Sequence, residues 1–288
     1  MRFWQVFVVL IVLSLSSAAV LGQQPSFRMP EYAEGDIPPL RSQAEVERLL
    51  AGANPLAEDK PLRVVLVAGP KDHDIGEHDY PNWQKVWSRL LASDEQTEVD
   101  TAWEFPDERQ IEAADVLVFY QRGRWNDERA AAIDPFLARG GGAVYIHWAV
   151  DGQGGEKEMA KRIGLASLGG SIGYRHGPLH VDFSHNPQHP IARNLTQVDW
   201  VDESYWRLRG DPSRISLLGT GVEEGEPRPL YWTVENGRGR VFVSIPGHYM
   251  WTFDDPIFRA ILLRGIAWAG HRSVDRFNKL VTLDARVD

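Results

Sequence analysis

Nine histidines and no cysteine define the chemistry open to this chain. Without a thiol there is no thiolate metal site, no cysteine nucleophile and no structural disulfide. Four of the imidazoles fall where apolar runs end. The loop 71–80 carries His73 and His78, His147 closes the run 143–146, and His248 follows Pro246-Gly247. An imidazole titrates near pH 6.5, so it moves protons near neutrality, and in its neutral form it ligates a divalent metal such as zinc. The pair Asp202-Glu203 adds a carboxylate that orients an imidazole, acts as acid or base, or joins it at a metal. His73, His147, His248 and Glu203 are therefore the candidate catalytic residues. His73, His147 and His248 are also the candidate metal ligands.

Aromatic residues sit beside these polar groups. Tyr80 ends the first loop, Trp148 follows His147, Tyr174 precedes His176, and Trp206 and Trp251 follow Glu203 and His248 by three residues each. A flat ring packs on the C–H face of a sugar while imidazoles and carboxylates take its hydroxyls. Tyr80, Trp148, Tyr174, His176, Asp202, Trp206 and Trp251 are accordingly candidate substrate-binding residues, with a small-molecule carbohydrate as the partner. Core packing is the competing fate of each tryptophan. His176 and His180 lie four apart, but Gly177-Pro178 between them forbids a helix, so they share a face only on an extended segment. His185 and His189 flank Asn186-Pro187 in a turn. Gly169-Gly170-Ser171-Ile172-Gly173 matches a nucleophile elbow, and the order Ser171, Asp202 or Glu203, His248 matches a hydrolase triad. The elbow needs a helix after its serine, and residues 174–178 start one poorly. A Ser171 hydrolase is therefore the lesser alternative.

For these distant histidines to meet, the elements between them must deliver their loops to one edge. Residues 62–68 form a β-branched run that reads as a buried strand ending at Gly69-Pro70. Residues 97–103, 115–120 and 143–147 read as further strands. Residues 84–92 are helical, with Val86, Trp87, Leu90 and Leu91 on one face. Asn126 caps another helix, which Pro135 kinks and Gly140-Gly141-Gly142 ends. Strands alternating with helices imply right-handed βαβ units. The fold class is three-layer α/β, a mostly parallel sheet with helices on both faces. Ligands bind beyond the carboxyl ends of such strands. If the strands before residues 73, 147 and 248 run parallel, their loops share that edge. Residues 165–235 read as mixed short strands, and 229–234 with 240–245 as a hairpin. Asp255, Pro256 and Gly270 bound a last helix, whose Phe258, Ile261, Leu262, Ile266 and Trp268 face the sheet.

Of the 288 residues, 43% are hydrophobic and 25% charged, the composition of a globular protein. The net charge of -9 argues against a non-specific nucleic-acid binder, which needs a basic face. Residues 1–22 have the arginine, apolar run and small residues of a signal peptide cut before Gln23. The expectation is export to the periplasm or beyond, with no membrane contact after cleavage. The alternative is an uncleaved membrane anchor. Residues 23–60 read as an arm with one short helix that opens at the capping box Ser42-Gln43-Ala44-Glu45. Residues 61–270 form the α/β domain and 271–288 a polar tail.

Taken together these stretches resemble the ThuA-like (trehalose utilisation) family. The resemblance is carried by Val64-Val65-Leu66-Val67 with the loop 73–80, Gly140-Gly141-Gly142 to His147, and Gly170 to His176. His189-Pro190-Ile191, Asp202-Glu203-Ser204-Tyr205, Trp232 to His248, and Phe258 to Trp268 complete it. It implies a flavodoxin-like, class I glutamine amidotransferase-like fold without its amidotransferase nucleophile, whose place falls near His147-Trp148. It also puts His248 near that superfamily's triad histidine. The implied role is carbohydrate metabolism on disaccharides or their keto derivatives. The first loop looks longer than the family pattern and leaves two candidates, His73 and His78. Two readings follow: an enzyme using histidine acid–base or metal-assisted chemistry on a sugar or keto-sugar, or a non-catalytic sugar-binding protein. A divalent metal such as zinc is the one cofactor this residue set suits.

Overall fold

A computed structural model describes residues 1, 26–35, 37–54 and 60–288. The expected signal peptide beyond Met1, with its cut site, lies outside the described residues. No helix among the described residues is long and apolar enough to cross a membrane.

The chain opens with α1 (Gln43–Leu50), capped by the Ser42/Glu45 box. There follow β1 (Leu62–Ala68), α2 (Tyr80–Ala92), β2 (Thr97–Trp103), α3 (Glu108–Ala113), β3 (Val116–Tyr120), α4 (Asp127–Ala138) and β4 (Gly142–Ile146). After a single 3-10 turn at His147–Val150 come α5 (Glu156–Ile163), β5 (Leu165–Ala166), β6 (Gly173–Asp182), β7 (Gln197–Trp206), β8 (Arg209–Gly210), β9 (Ser216–Glu223), β10 (Glu226–Asn236) and β11 (Gly239–Ser244). The helices α6 (Met250–Phe253) and α7 (Pro256–Ala269) end the domain.

Nine strands form one sheet in the order β2-β1-β3-β4-β11-β10-β9-β6-β7. β2, β1, β3, β4 and β11 are parallel, and β11 through β7 are antiparallel. β11 is the seam: it pairs parallel to β4 and antiparallel to β10. The hairpin through Asn236-Gly237 is present as expected. β1, β4 and β11 run the same way, so the loops carrying His73 and His78, His147, and His248 share one edge. The region 165–235 is more regular than the sequence suggested. Four strands there run 8 to 11 residues, beside the two-residue β5 and β8; on β6 the half-covered positions 173, 175 and 177 are Gly, Arg and Gly, which hides the period-two pattern.

Helices cover both faces. Gly265 of α7 packs on the Phe242 ring of β11, whose register partner is Val144. On the other face Tyr145 stacks with Phe119 at 4.9 Å, and both line a small hollow with Met159 of α5. α4 continues through Pro135 to Ala138, so the proline does not end it early.

Every residue of α7 is buried, where the sequence suggested one sheet-facing side. The arm and the C-terminal tail cover its outer side. Arg264 donates to the carbonyls of Leu49 (2.8 Å) and Arg193 (2.8 Å), and Arg259 to Asp254 Oδ1 (2.9 Å). The tail is no loose polar end: Phe277, Leu280, Val281 and Ala285 are buried. Asp254 also accepts from Met29 N (2.9 Å) and Tyr32 Oη (2.7 Å), tying the arm to the same ion pair.

Removing one partner of a buried ion pair leaves the other charge uncompensated, a loss of about 3–5 kcal/mol. Asp254→Ala should destabilise the protein by that amount in urea denaturation. A loss below about 1 kcal/mol would show that Arg259 finds water or another partner.

Candidate functional site

The site is assembled where β1, β4 and β11 end. β4 runs straight into a 3-10 turn, and His147 sits at the corner with φ +57°. His78 has φ +41°. Non-glycine residues rarely adopt such angles, and surrounding contacts must hold them there. For His78 those contacts are explicit. Its N–H donates to the His248 carbonyl (3.1 Å), and Met250 N–H donates to the Gly76 carbonyl (2.9 Å), so the first and last loops are zipped backbone to backbone. Gly76 has φ +74°, and a Cβ there would fall 1.9 Å from Ala33 N, so the arm presses directly on this loop. Lys71 Nζ closes the loop by donating to the carbonyls of His73, Asp74 and Glu77.

β7 supplies the carboxylates. Asp202 Oδ1 accepts from Gly247 N (2.9 Å) and His248 N (3.0 Å), and Oδ2 accepts from the Thr252 hydroxyl. Asp202 thus shapes the last loop. Its neighbour Glu203 points into the site.

His78, His147, His248 and Glu203 are all buried and bring their ligand atoms together. His78 Nε2 lies 2.8 Å from His147 Nε2 and 3.0 Å from His248 Nδ1. Glu203 Oε2 lies 3.2 Å from His147 Nε2 and 3.0 Å from His248 Nδ1. Each imidazole's other nitrogen faces an oxygen. His147 Nδ1 donates to the Ile245 carbonyl (2.7 Å), and His78 Nδ1 donates to Asp72 Oδ1 (3.0 Å). His248 Nε2 is buried without a hydrogen bond, 3.6 Å from Glu77 Oε2. A carbonyl and a carboxylate only accept, so the His147 and His78 protons sit on Nδ1. The two Nε2 atoms lie 2.8 Å apart, lone pair to lone pair when both rings are neutral.

Outside this group His73 Nδ1 donates to Asp72 Oδ1 (2.9 Å), and His176 Nε2 bonds Glu203 Oε1 (3.2 Å). Tyr205 Oη bonds His147 Nε2 (3.0 Å). A cavity of about 370 Å³ opens over the cluster, lined by His73, His78, Trp148, Gly169, Gly170, Ile172, Tyr174, His176, Glu203 and Tyr205.

The convergence expected of residues 73, 147 and 248 is thus centred on His78 rather than His73. His73 packs against His78 with ring centroids 3.8 Å apart and planes tilted by 52°, and forms the cavity wall. Of the expected substrate-binding residues, Trp148, Tyr174 and His176 line the cavity. Tyr80, Asp202, Trp206 and Trp251 do not. Strand parity explains part of this: on β6 and β7 the pairs Tyr174/Tyr205 and His176/Glu203 are cross-strand neighbours on one face, which puts Asp202 and Trp206 on the other. Tyr80 Oη instead bonds His78 Nδ1 (2.8 Å), and Trp251 Nε1 donates to the Val201 carbonyl (2.9 Å). Ser171 lies in a turn that leads into β6, not into a helix, so the elbow is absent. His180 pairs with Asp199, His185 with Thr220, and His189 caps the turn at Ile191. Tyr205, Asp72 and Glu77 were not picked out as site residues. Period-two alternation from Glu203 would have found Tyr205.

A buried constellation of imidazoles and a carboxylate beyond the carboxyl ends of a mostly parallel sheet defines a ligand-binding α/β protein. The trehalose utilisation (ThuA) family profile matches residues 64–269, and the chain belongs to that family. Membership gives it a carbohydrate-related role. Among solved structures, a ThuA-like protein from Parabacteroides merdae ATCC 43184 is 22% identical with a TM-score of 0.56, covering 73% of this chain and 90% of that one. A ThuA-like protein from Bacteroides uniformis ATCC 8492 is 15% identical with a TM-score of 0.56, covering 75% and 95%. These likenesses carry the fold. No curated protein matches the chain.

The electrostatics follow from burial. Desolvation lowers the pKa of His78 to about 2 and also lowers that of His248. Burial alone raises the Glu203 carboxyl, but hydrogen bonds from His147, His176 and His248 outweigh it and hold Glu203 well below the usual range. Its hydrogen bond to Glu203 raises His176. For His78 and His248 the unfolded chain takes up protons below about pH 6.5 while the folded one does not, so their stabilisation is full above that pH and lost below it. Glu203 acts in the same direction at lower pH, and His176 opposes. In chelator-treated protein the urea midpoint should fall between about pH 7 and about pH 5, before carboxylates titrate. A flat profile over that range would show that the imidazoles are not held neutral.

Proposed function

We propose that His78, His147, His248 and Glu203 bind one divalent metal ion such as zinc, and that the chain is an enzyme acting on a sugar or keto-sugar in the adjoining cavity. One observation carries this reading: His78 Nε2, His147 Nε2, His248 Nδ1 and Glu203 Oε2 converge on one buried point, with the two Nε2 atoms 2.8 Å apart. Two lone pairs that close repel unless a cation lies between them. The donor set fits a metal. A tetrahedral zinc with bonds of about 2.0–2.1 Å separates its ligand atoms by about 3.3 Å. The distances here of 2.8 to 3.2 Å reach that with shifts of a few tenths of an ångström. Oxygen partners behind His147 and His78 match the outer contacts that orient metal-bound histidines.

When bound, the ion supplies Lewis acidity to a sugar hydroxyl or carbonyl oxygen. The rest is the work of this chain's side chains. Asp72 holds His78 and His73 at once, so it fixes one ligand and orients one cavity-lining base. His73, with Nδ1 on Asp72, presents Nε2 for proton abstraction. His176, whose proton Glu203 retains, stands at the cavity mouth as an acid. Trp148 and Tyr174 offer ring faces to the C–H face of a sugar.

The purified protein should hold one metal equivalent by elemental analysis, and His78→Ala, His147→Ala and His248→Ala should each lose it. Asp72→Asn should weaken binding about 10–100-fold. Wild-type protein that stays metal-free when purified with zinc present would refute the metal. A panel of disaccharides and their keto derivatives should reveal turnover. His73→Ala should lower it at least about 100-fold while keeping the metal. Binding of these sugars without product over long incubation would leave a sugar-binding protein instead.

A further inference from the structure

A second hollow of about 320 Å³ adjoins the first, and its walls are basic. Arg122, Arg124 and Arg129 line it, in a chain whose net charge is -9. Their present partners leave them loosely held. Arg129 spends its donors on the backbone carbonyls of Arg124 (2.9 Å) and Glu104 (3.1 Å). Among the described residues the Arg124 side chain has no hydrogen-bond or ion-pair partner. Arg122 reaches only to 3.9 Å from Asp151 Oδ2. Two carboxylates, Asp72 and Glu104, share the lining. Asp72 Oδ1 already accepts from both His73 and His78. Among the described residues none of the three guanidiniums makes an ion pair with Asp72 or Glu104, and the one carboxylate in ion-pair range is Asp151, 3.9 Å from Arg122.

The two hollows are neighbours. Asp72 lines the basic one, and its two imidazole partners line the other. Trp148 lines the metal cavity, and the Arg122 guanidinium stacks over its ring at 5.0 Å. A guanidinium offers a planar fork of N–H donors that matches the two oxygens of a carboxylate or phosphate.

From this we infer that the substrate is an anionic sugar. Its ring lies in the metal cavity against Trp148, and its carboxylate or phosphate is gripped by Arg122 and Arg124, with Arg129 bracing the wall. This inference rests on the sugar-binding reading of the cavity but not on the metal.

Calorimetry with glucuronate, glucose 6-phosphate and glucose tests it. One of the two anionic sugars should bind at least about tenfold more tightly than glucose, and which one does so identifies the anion. Inorganic phosphate should compete, and added salt should weaken the anionic sugar more than glucose. Arg122→Gln and Arg124→Gln change exposed side chains, so the unfolding temperature should stay put while each erodes the preference. His248→Ala should lose the metal yet keep the preference. Equal binding of all three sugars, no binding of either anion at millimolar concentration, or a preference that survives in the double arginine variant would each overturn the inference. A metal-free wild type that still prefers the anion sinks the metal reading alone. A metal-loaded protein without the preference sinks this one alone.

Discussion

Two imidazole nitrogens 2.8 Å apart in a buried space, each on a ring whose far nitrogen donates to an oxygen, are the constraint around which this structure is arranged. Left alone that contact is repulsive, and low dielectric strengthens the repulsion. Everything adjacent enforces it. The Ile245 carbonyl and Asp72 each claim a proton on the far nitrogen, so neither ring can turn over to relieve the clash. Glu203 brings a negative charge to the same point, which suits a cation and nothing neutral.

Holding that arrangement falls to backbone devices outside the cluster. His147 and His78 occupy left-handed angles that cost about 1–3 kcal/mol each. The first is held by a β4 strand buried on both faces, the second by the zipped loops and the arm against Gly76. Asp202 settles the last loop by accepting two consecutive N–H groups. The arm is in turn anchored through Met29 and Tyr32 to the Asp254–Arg259 pair beneath α7. A segment that looks peripheral in sequence therefore supports the loop that carries His78.

The parallel half of the fold was legible because β-branched runs ending in glycine, alternating with capped helices, admit few topologies. β1, β2 and the hairpin at Asn236-Gly237 follow directly from those signals. That histidines at strand ends should gather on one edge also followed, since parallel strands leave no other place for their loops. Choosing between His73 and His78 did not follow. Both sit in one loop, and the choice is made by the backbone pairing of Glu77 with Tyr249, 172 residues apart (249 − 77 = 172), which no local pattern encodes. Tyr80, Trp206 and Trp251 fall away from the cavity for a related reason. Nearness in sequence to a polar residue says nothing about side, and on β7 one step moves Trp206 away from the face that Tyr205 occupies. The all-round burial of α7 was hidden because arginines at 259 and 264 mimic a solvent face, while their guanidiniums are spent on carbonyls and on Asp254.

The position of the cluster also explains why one sheet contains two different halves. His147 leaves the parallel half on β4, and Glu203 belongs to the antiparallel half on β7. His248 leaves β11, the strand paired parallel on one side and antiparallel on the other. A charge placed between these groups is shared by both halves and by the loop after β1. Without that charge, Glu203 is a buried carboxylate answered by the half-exposed His176, beside His78 and His248, which desolvation drives toward neutrality. An unanswered buried charge weakens a fold by several kcal/mol, a sizeable part of a typical domain's net stability. A bound cation would convert that liability into a clamp across the seam, so that ligand binding and the joining of the two half-sheets become one event.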